Sequence, residues 1–295
     1  MRYTGEKRNK MKIVNRIDEL RTMLTEEKAN GKTIGFVPTM GYLHEGHLSL
    51  IHEARKENGI VVISIFVNPL QFGPDEDFDQ YPRNIERDEA LAREAGADYL
   101  FYPTVAEMYG ERPTVTVKVH ERTDCLCGKS RPGHFDGVAT VLTKLFNIIG
   151  PARAYFGLKD AQQVAIVEGL IHDFNFPIEL VGVEIKREED GLALSSRNVN
   201  LTSDERAEAV HISRCLFKIK EAIDNGMTPE AAIAEGRGYL HSHTAGTIDY
   251  LEALSYPELK PITDVREAII VAAAVQYSKV RLIDNVIIKT EQLRG

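Results

Sequence analysis

The chain has 295 residues, of which 43% are hydrophobic and 27% charged, and carries a formal net charge of −8. That length is about two domains' worth and allows roughly three quarters of the unfolded surface to be buried. The acidic balance argues against a nucleic-acid binder built on phosphate neutralisation, while leaving room for a local basic pocket. The longest apolar runs, such as residues 60–67, fall well short of the roughly 20 needed for a membrane span. Cys125, Cys127 and Cys215 form no even disulfide framework, so a reducing, cytoplasmic setting is expected. Cys125 and Cys127, a C-x-C without a second ligand pair, read as ordinary thiols. The ten residues before Met11 are basic but precede no apolar stretch. They read as a loose extension rather than a secretory signal, with Met11 an alternative start.

Residues 17–28 carry Ile17, Leu20 and Leu24 at helical spacing and stop at Asn30-Gly31, which predicts a first helix. From residue 33 the sequence TIGFVPTMGYLHEGHLSL changes texture within a few positions. Ile34, Phe36 and Val37 suit a buried strand, Pro38 and Gly41 break it, and Leu48, Ile51 and Ala54 continue as a helix. The unbroken run 60–67 reads as a strand buried on both faces, completing a βαβ unit. Residues 84–95 predict a helix closed by Gly96, and 97–102 a third strand. Between 104 and 137 the rhythm breaks: a short alternating run at 114–119 is followed by the loop KSRPGHFDG, of a kind that often carries function. A helix is expected from Val138 to Gly150-Pro151, strands at 154–157 and 178–183, and a helix between them over 160–174.

The natural architecture is α/β: a Rossmann-like open parallel sheet with helices on both faces. Past Arg197 the texture shifts to helices at 203–225 and 229–240 and then strands at 248–254, 268–275 and 280–287 without helices between them. These describe a smaller C-terminal α+β domain. The expected division is 1–185 and 186–295, with the loop DGLALSSRN opening the second part. His241 and His243 resemble a metal pair only superficially, since no carboxylate pattern surrounds them.

Ligands of an open parallel sheet bind beyond the carboxyl ends of its strands. Four loops carry polar residues to that rim. His44 and His47 lie where a new helix has unpaired N–H groups and a positive dipole end, which suits phosphate. Asn68 and Gln71 follow the second strand; Lys159, Asp160 and Gln163 follow the fourth; Ser195, Ser196 and Arg197 follow the fifth. Each alone could be a turn residue, a cap or a solvated pair. Their shared placement is what points to a site.

The segments PTMGYLHEGH, SIFVNPLQFG, RPGHFDGVATV, YFGLKDAQQ and DGLALSSRN, in that order, resemble the pantothenate synthetase (pantoate:β-alanine ligase) family over the N-terminal two thirds. The HxGH signature places it beside the nucleotidyltransferases and class I aminoacyl-tRNA synthetases. The resemblance implies an ATP- and Mg²⁺-dependent ligase that makes pantothenate from pantoate and β-alanine by way of pantoyl adenylate. It also implies a homodimer. Catalytic roles then fall to His47, His44 and Lys159, with His47 also proton-donating by family analogy. The nucleotide set comprises Met40, Gly41, His44, Gly46, His47, Gly157, Leu158, Lys159, Asp160, Lys186, Leu194, Ser195, Ser196 and Arg197. Met40, Gly157 and Lys186 contribute there through backbone. Gln71 and Gln163, with Asn68 and Tyr81 behind them, form the substrate set. Asp88 and Asp160 could approach Mg²⁺, but that ion keeps several waters and rests mainly on phosphate, so no protein ligand is assigned. Nucleotidyl transfer and simple ATP binding are the alternatives; the first leaves the nucleotide in its product, the second leaves Gln71 and Gln163 without a role. Tyr42 would either narrow the entrance or cover the turn.

Overall fold

The computed structural model describes residues 11–74, 76, 78–263 and 268–289. The expectation for the first ten residues lies outside them. In chain order the first part consists of β1 (Lys12–Val14), α1 (Ile17–Ala29), β2 (Ile34–Thr39), α2 (Glu45–Glu57), β3 (Ile60–Ile65), α3 (Ile85–Ala95) and β4 (Tyr99–Phe101). It continues with α4 (Val105–Tyr109), α5 (Leu126–Ser130), α6 (His134–Ile149), β5 (Arg153–Gly157), α7 (Ala161–Asp173) and β6 (Glu179–Val183). The six strands form one parallel sheet in the order β1-β4-β3-β2-β5-β6.

Side chains alternate across this sheet with the period of two that strand geometry imposes. Ile60 and Val62 of β3 enter one core with Leu20 and Leu24 of α1 and Leu142 and Leu145 of α6. Val61, Ile63 and Ile65 enter the opposite core with Leu48 and Ile51 of α2 and Ala92 of α3. Both faces are therefore covered by helices, as a continuous apolar β-branched run requires.

The second part contains α8 (Ser203–Asp224), α9 (Pro229–His243), β7 (Thr247–Ser255), β8 (Ile269–Gln276) and β9 (Arg281–Ile288). The strands form an antiparallel sheet in the order β7-β8-β9. Helix α8 starts on a reciprocal capping box between Thr202 and Glu205, and α9 on a Thr228 cap with Pro229 in its first turn. Strand β8 is buried on both faces. Ile269, Val271, Ala273 and Val275 pack toward α8 and α9, whereas Ile270, Ala272 and Ala274 pack toward Leu126, Ala161 and Ala165 of the first part.

Three local expectations change. Strand β1, which pairs with β4, was not expected, because three residues hold too little pattern to be read. Helix α6 begins at His134, four residues before Val138, so half of the RPGHFDG loop is helix. The run 114–119 is extended but joins neither sheet; the Val117 N–H donates to Thr140 Oγ1 and the Val119 N–H to Asp136 Oδ1, both on α6.

Candidate active site

Strand β2 has β3 on one side and β5 on the other, and the chain order reverses between β2 and β5. That makes the crevice beyond Thr39 and Gly157 the topological switch point, where open α/β sheets bind ligands. His44 caps α2 there: its Nδ1 accepts the Gly46 N–H at 3.1 Å, and the His44 N–H donates to His47 Nδ1 at 3.3 Å. The two rings lie 4.1 Å apart between centroids. A ring nitrogen that accepts an N–H carries no proton itself, so both imidazoles hold theirs on Nε2. Burial first, and then the Lys159 ammonium, push His44 down to about 4. Burial, His44 and Lys159 likewise hold His47 well below the ordinary imidazole value. At neutral pH the helix start thus presents two neutral, oriented Nε2–H donors.

The turn between β2 and α2 is held from elsewhere. Asp88 on α3 is 1% exposed, and its carboxylate accepts the N–H groups of Tyr42 at 2.6 Å and Leu43 at 2.7 Å. Both oxygens are spent on the turn. Gly41 has φ 89°, and a Cβ there would lie 2.9 Å from Ile65 and 3.1 Å from Asp88, so only glycine fits. The Tyr42 ring stacks under the Arg87 guanidinium at 5.1 Å and lines a separate cavity behind the turn; it covers the turn and does not narrow the entrance. Gly41 also lines that rear cavity.

After β3, Asn68 is 1% exposed and its side chain is fully engaged. Its Nδ2 donates to Gln71 Oε1 at 3.1 Å and Gly137 O at 3.0 Å; its Oδ1 accepts from the Leu70 N–H at 3.2 Å and Tyr109 Oη at 2.8 Å. Two donors and two acceptors are then used, leaving nothing for a substrate. Asn68 orients Gln71 instead of touching the cavity. Gln71 Nε2 faces the Met40 sulfur at 3.1 Å, a weak acceptor that a substrate oxygen can replace. The Gln71 carbonyl accepts from His134 Nδ1 at 2.8 Å, and burial followed by Arg131 pushes His134 down to about 4. Gly137 is required here, since a Cβ would lie 2.2 Å from the Leu70 carbonyl.

Lys159 sits on a tight turn, Leu158–Asp160, leading from β5 into α7. Across from it, residues 186–194 fold back on themselves. The Leu194 N–H donates to Lys186 O at 3.0 Å, the Glu188 N–H to Leu192 O at 2.8 Å, and Gly191 makes the bend at φ 98°. Arg206 of α8 pins this loop through Glu188 at 2.6 Å and Asp190 at 2.7 Å. Ser196 Oγ reaches the Tyr42 carbonyl at 3.3 Å, so the loop meets the histidine turn.

A cavity of about 220 Å³ lies between these parts. Met40, His44, Gly46, His47, Gln71, Tyr81, Gly157, Lys159, Asp160, Gln163, Lys186, Leu194, Ser195, Ser196 and Arg197 all line it. Lys159, Asp160, Gln163, Ser195 and Arg197 also border a cleft of about 580 Å³ running between α5–α7 of the first part and the second sheet, with Arg131 and His134 on its wall. A Cβ at Gly157 would meet nothing within 4 Å. Leu158 does not reach the cavity, because its side chain packs into the first core. Among the described residues no group of three or more His, Cys, Asp or Glu is placed to hold a metal ion. Asp88, Tyr109 and the Arg131–His134 pair are the contributors whose roles could not be read from sequence. Asp88 lies 46 residues from its partner and has no motif around it.

An α/β sheet with an HxGH helix start, a lysine at the adjacent strand end and a two-amide pocket defines a nucleotide-handling protein of the Rossmann-like class. The model of the pantoate-beta-alanine ligase family matches residues 12–287, and the chain belongs to that family. It is 58% identical over 277 residues to the pantothenate synthetase of Geobacillus sp. (strain WCH70), covering 94% of this chain and 98% of that one. The fold is similar to the crystal structure of pantothenate synthetase from Thermus thermophilus, with a TM-score of 0.87, 46% identity, and 94% and 99% of the two chains covered. It is also similar to the pantoate-beta-alanine ligase of Francisella tularensis complexed with beta-gamma ATP and beta-alanine. There the TM-score is 0.78 at 33% identity, covering 94% of this chain and 97% of that one.

Proposed function

We propose that this chain joins (R)-pantoate to β-alanine at the expense of ATP, giving pantothenate, AMP and pyrophosphate through pantoyl adenylate. The observation that carries the reading is the meeting, in one cavity, of a phosphate-type helix start bearing His44 and His47, the Lys159 cation, and the Gln71 and Gln163 amides. In the first step the pantoate carboxylate attacks the α-phosphorus and pyrophosphate leaves. Charge gathers on phosphoryl oxygens in that transition state, and two fixed Nε2–H donors stabilise it, each worth roughly 3 kcal/mol when well aimed. His47 serves also as the proton-donating residue once phosphate charge lifts its affinity for a proton. Lys159 takes the β- and γ-phosphates, and Ser195, Ser196 and Arg197 the triphosphate from the opposite wall. Amides suit pantoate because they orient its hydroxyls and carboxylate without neutralising the nucleophile. In the second step the β-alanine amine attacks the acyl carbon and AMP leaves.

Magnesium belongs to this reading as a companion of the triphosphate. Asp88 is spent on the turn, and Asp160 and Glu184 are the carboxylates in the cavity lining, too few for a protein cage, which fits an ion held mainly by phosphate and water. When bound it would neutralise triphosphate charge. The division at 185/186 is supported by the cores, since Val183 packs with the first sheet and Leu192 with α8 and α9. A homodimer and a cytoplasmic location complete the proposal. Val115, 80% exposed on the 114–119 run, suits burial against a second copy.

The test is an assay omitting pantoate, β-alanine and ATP in turn, reading AMP and pyrophosphate. Without β-alanine the protein should exchange pyrophosphate into ATP in a pantoate-dependent way; folded protein that does not would sink the adenylate mechanism. His47→Ala should keep the fold and lose most of the rate. Release of pyrophosphate without AMP would favour nucleotidyl transfer instead.

A further inference from the structure

Strand β9 reads Arg281-Leu-Ile-Asp-Asn-Val-Ile-Ile288, and its side chains divide between two faces. Leu282, Val286 and Ile288 pack with α8 and α9, whereas Ile283 and Ile287 pack on the side of Leu126 of α5 and Ala161 and Ala165 of α7. Asp284 and Asn285 interrupt the two apolar rows at adjacent positions, and each is 4% exposed. A buried carboxylate and a buried amide are costly unless fully partnered, and apolar residues of similar volume would serve the sheet at least as well. Both polar groups are satisfied by the active-site loops.

Asn285 uses its two Nδ2 hydrogens on consecutive carbonyls, Leu158 O and Lys159 O, both at 2.9 Å. It thereby clamps the tight turn that carries Lys159. Asp284 accepts a two-point contact from Arg187, at 2.6 Å to Nη1 and 2.9 Å to Nη2. Arg187 Nη1 also donates to Gly191 O at 3.1 Å, and its guanidinium lies over the Phe217 ring at 5.1 Å. One carboxylate oxygen accepts the Asn285 N–H at 2.8 Å, which couples the two residues. Because neighbouring side chains on a strand point to opposite faces, a single step along β9 reaches two separate loops.

We infer that Asp284 and Asn285 are positioning residues of the adenylation site, through which the C-terminal sheet sets the Lys159 turn and the 186–197 loop at a fixed separation. Neither residue lines the 220 Å³ cavity itself; both border the adjoining cleft. Asn285 acts through Lys159 and Asp284 through Arg187, holding the cation and the serine–arginine loop on opposite walls of one cavity. The inference rests on the pantoyl-adenylate reading and assigns the second sheet a part in it.

The experiment uses the full chain and pantoate-dependent pyrophosphate exchange with ATP. Asn285→Ala should raise the KM for ATP and lower kcat by a combined 10- to 100-fold, the size expected when a catalytic group is misplaced by about 1 Å. The KM for pantoate should stay within twofold, a split that loss of folded protein would not produce. In a Lys159→Ala background the same substitution should add little, because the group it positions is gone. Should Asn285→Ala fail to fold, Arg187→Lys tests the other arm; it keeps the charge, loses the fork, and should raise the KM for ATP. Folded variants with ATP kinetics within twofold of the parent, or a full additional loss in the Lys159→Ala background, would overturn the inference. A parent chain without pantoate-dependent exchange would instead overturn the functional reading.

Discussion

Asn68 Nδ2 holds Gln71 Oε1 at 3.1 Å, and that contact fixes which way the Gln71 amide faces. The Gln71 NH₂ is left directed at Met40 and the cavity. Asn68→Ala should therefore raise the KM for pantoate on the order of tenfold while leaving the KM for ATP nearly unchanged. Steady-state kinetics with each substrate varied will check this. Equal changes in both constants would mean that Asn68 supports the site only generally.

Gly46 makes an unusual prediction, because alanine is the better helix former. A Cβ at this position would lie 2.8 Å from His44 Cε1 and 2.9 Å from Nδ1. Gly46→Ala should thus leave the thermal midpoint level or slightly raised but displace the His44 ring, lowering the exchange rate by roughly 10²-fold, as for loss of one aimed donor. An active variant would show that the His44 ring position is not needed.

Asp88 tests the turn. In Asp88→Asn one of the two turn N–H groups would face an amide NH₂, costing about 1–3 kcal/mol. The thermal midpoint should drop by several degrees and the protective shift produced by ATP should shrink. Calorimetry with and without ATP separates these. Unchanged protection by ATP would detach Asp88 from the nucleotide site.

Acid should destabilise the chain through its buried histidines. His44 and His134 titrate at about 4 when folded, against an ordinary 6.5, and His47 lies well below 6.5. Between those values the unfolded chain binds protons that the folded chain does not, so stability is complete above pH 6.5 and is lost as pH falls toward 4. At pH 5 the loss is on the order of 2 kcal/mol for each of His44 and His134, and His47 adds to it in the same direction. The thermal midpoint should fall between pH 7 and pH 5, and His134→Gln should flatten the slope. A midpoint that is level across this range would contradict the burial assigned to these rings.

Much of the first sheet was legible because its signals are local. The run from Ile60 to Ile65 can only be a strand buried on both faces, and Gly96 and Gly150 end their helices in left-handed geometry that favours glycine. Strand β1 was not legible, since its place is decided by pairing with β4 more than 80 residues away. The 114–119 run shows the opposite case: it alternates like a strand, yet the N–H groups of Val117 and Val119 are taken by α6.

The site divides in the same way. The helix start with its two histidines is legible locally, because a cap depends on residues within one turn, and so are the residue types at the four strand ends. The sequence also carried the motifs that resemble the ligase family. Tertiary structure decided which of those residues face the cavity and which serve them. Asn68 moved behind Gln71, Leu158 and Gly41 moved out of the cavity, and Asp88 became the anchor of the turn. The reason is physical: a buried polar atom takes whichever partner folding brings within about 3 Å, and neither spacing nor composition encodes a partner that lies dozens of residues away.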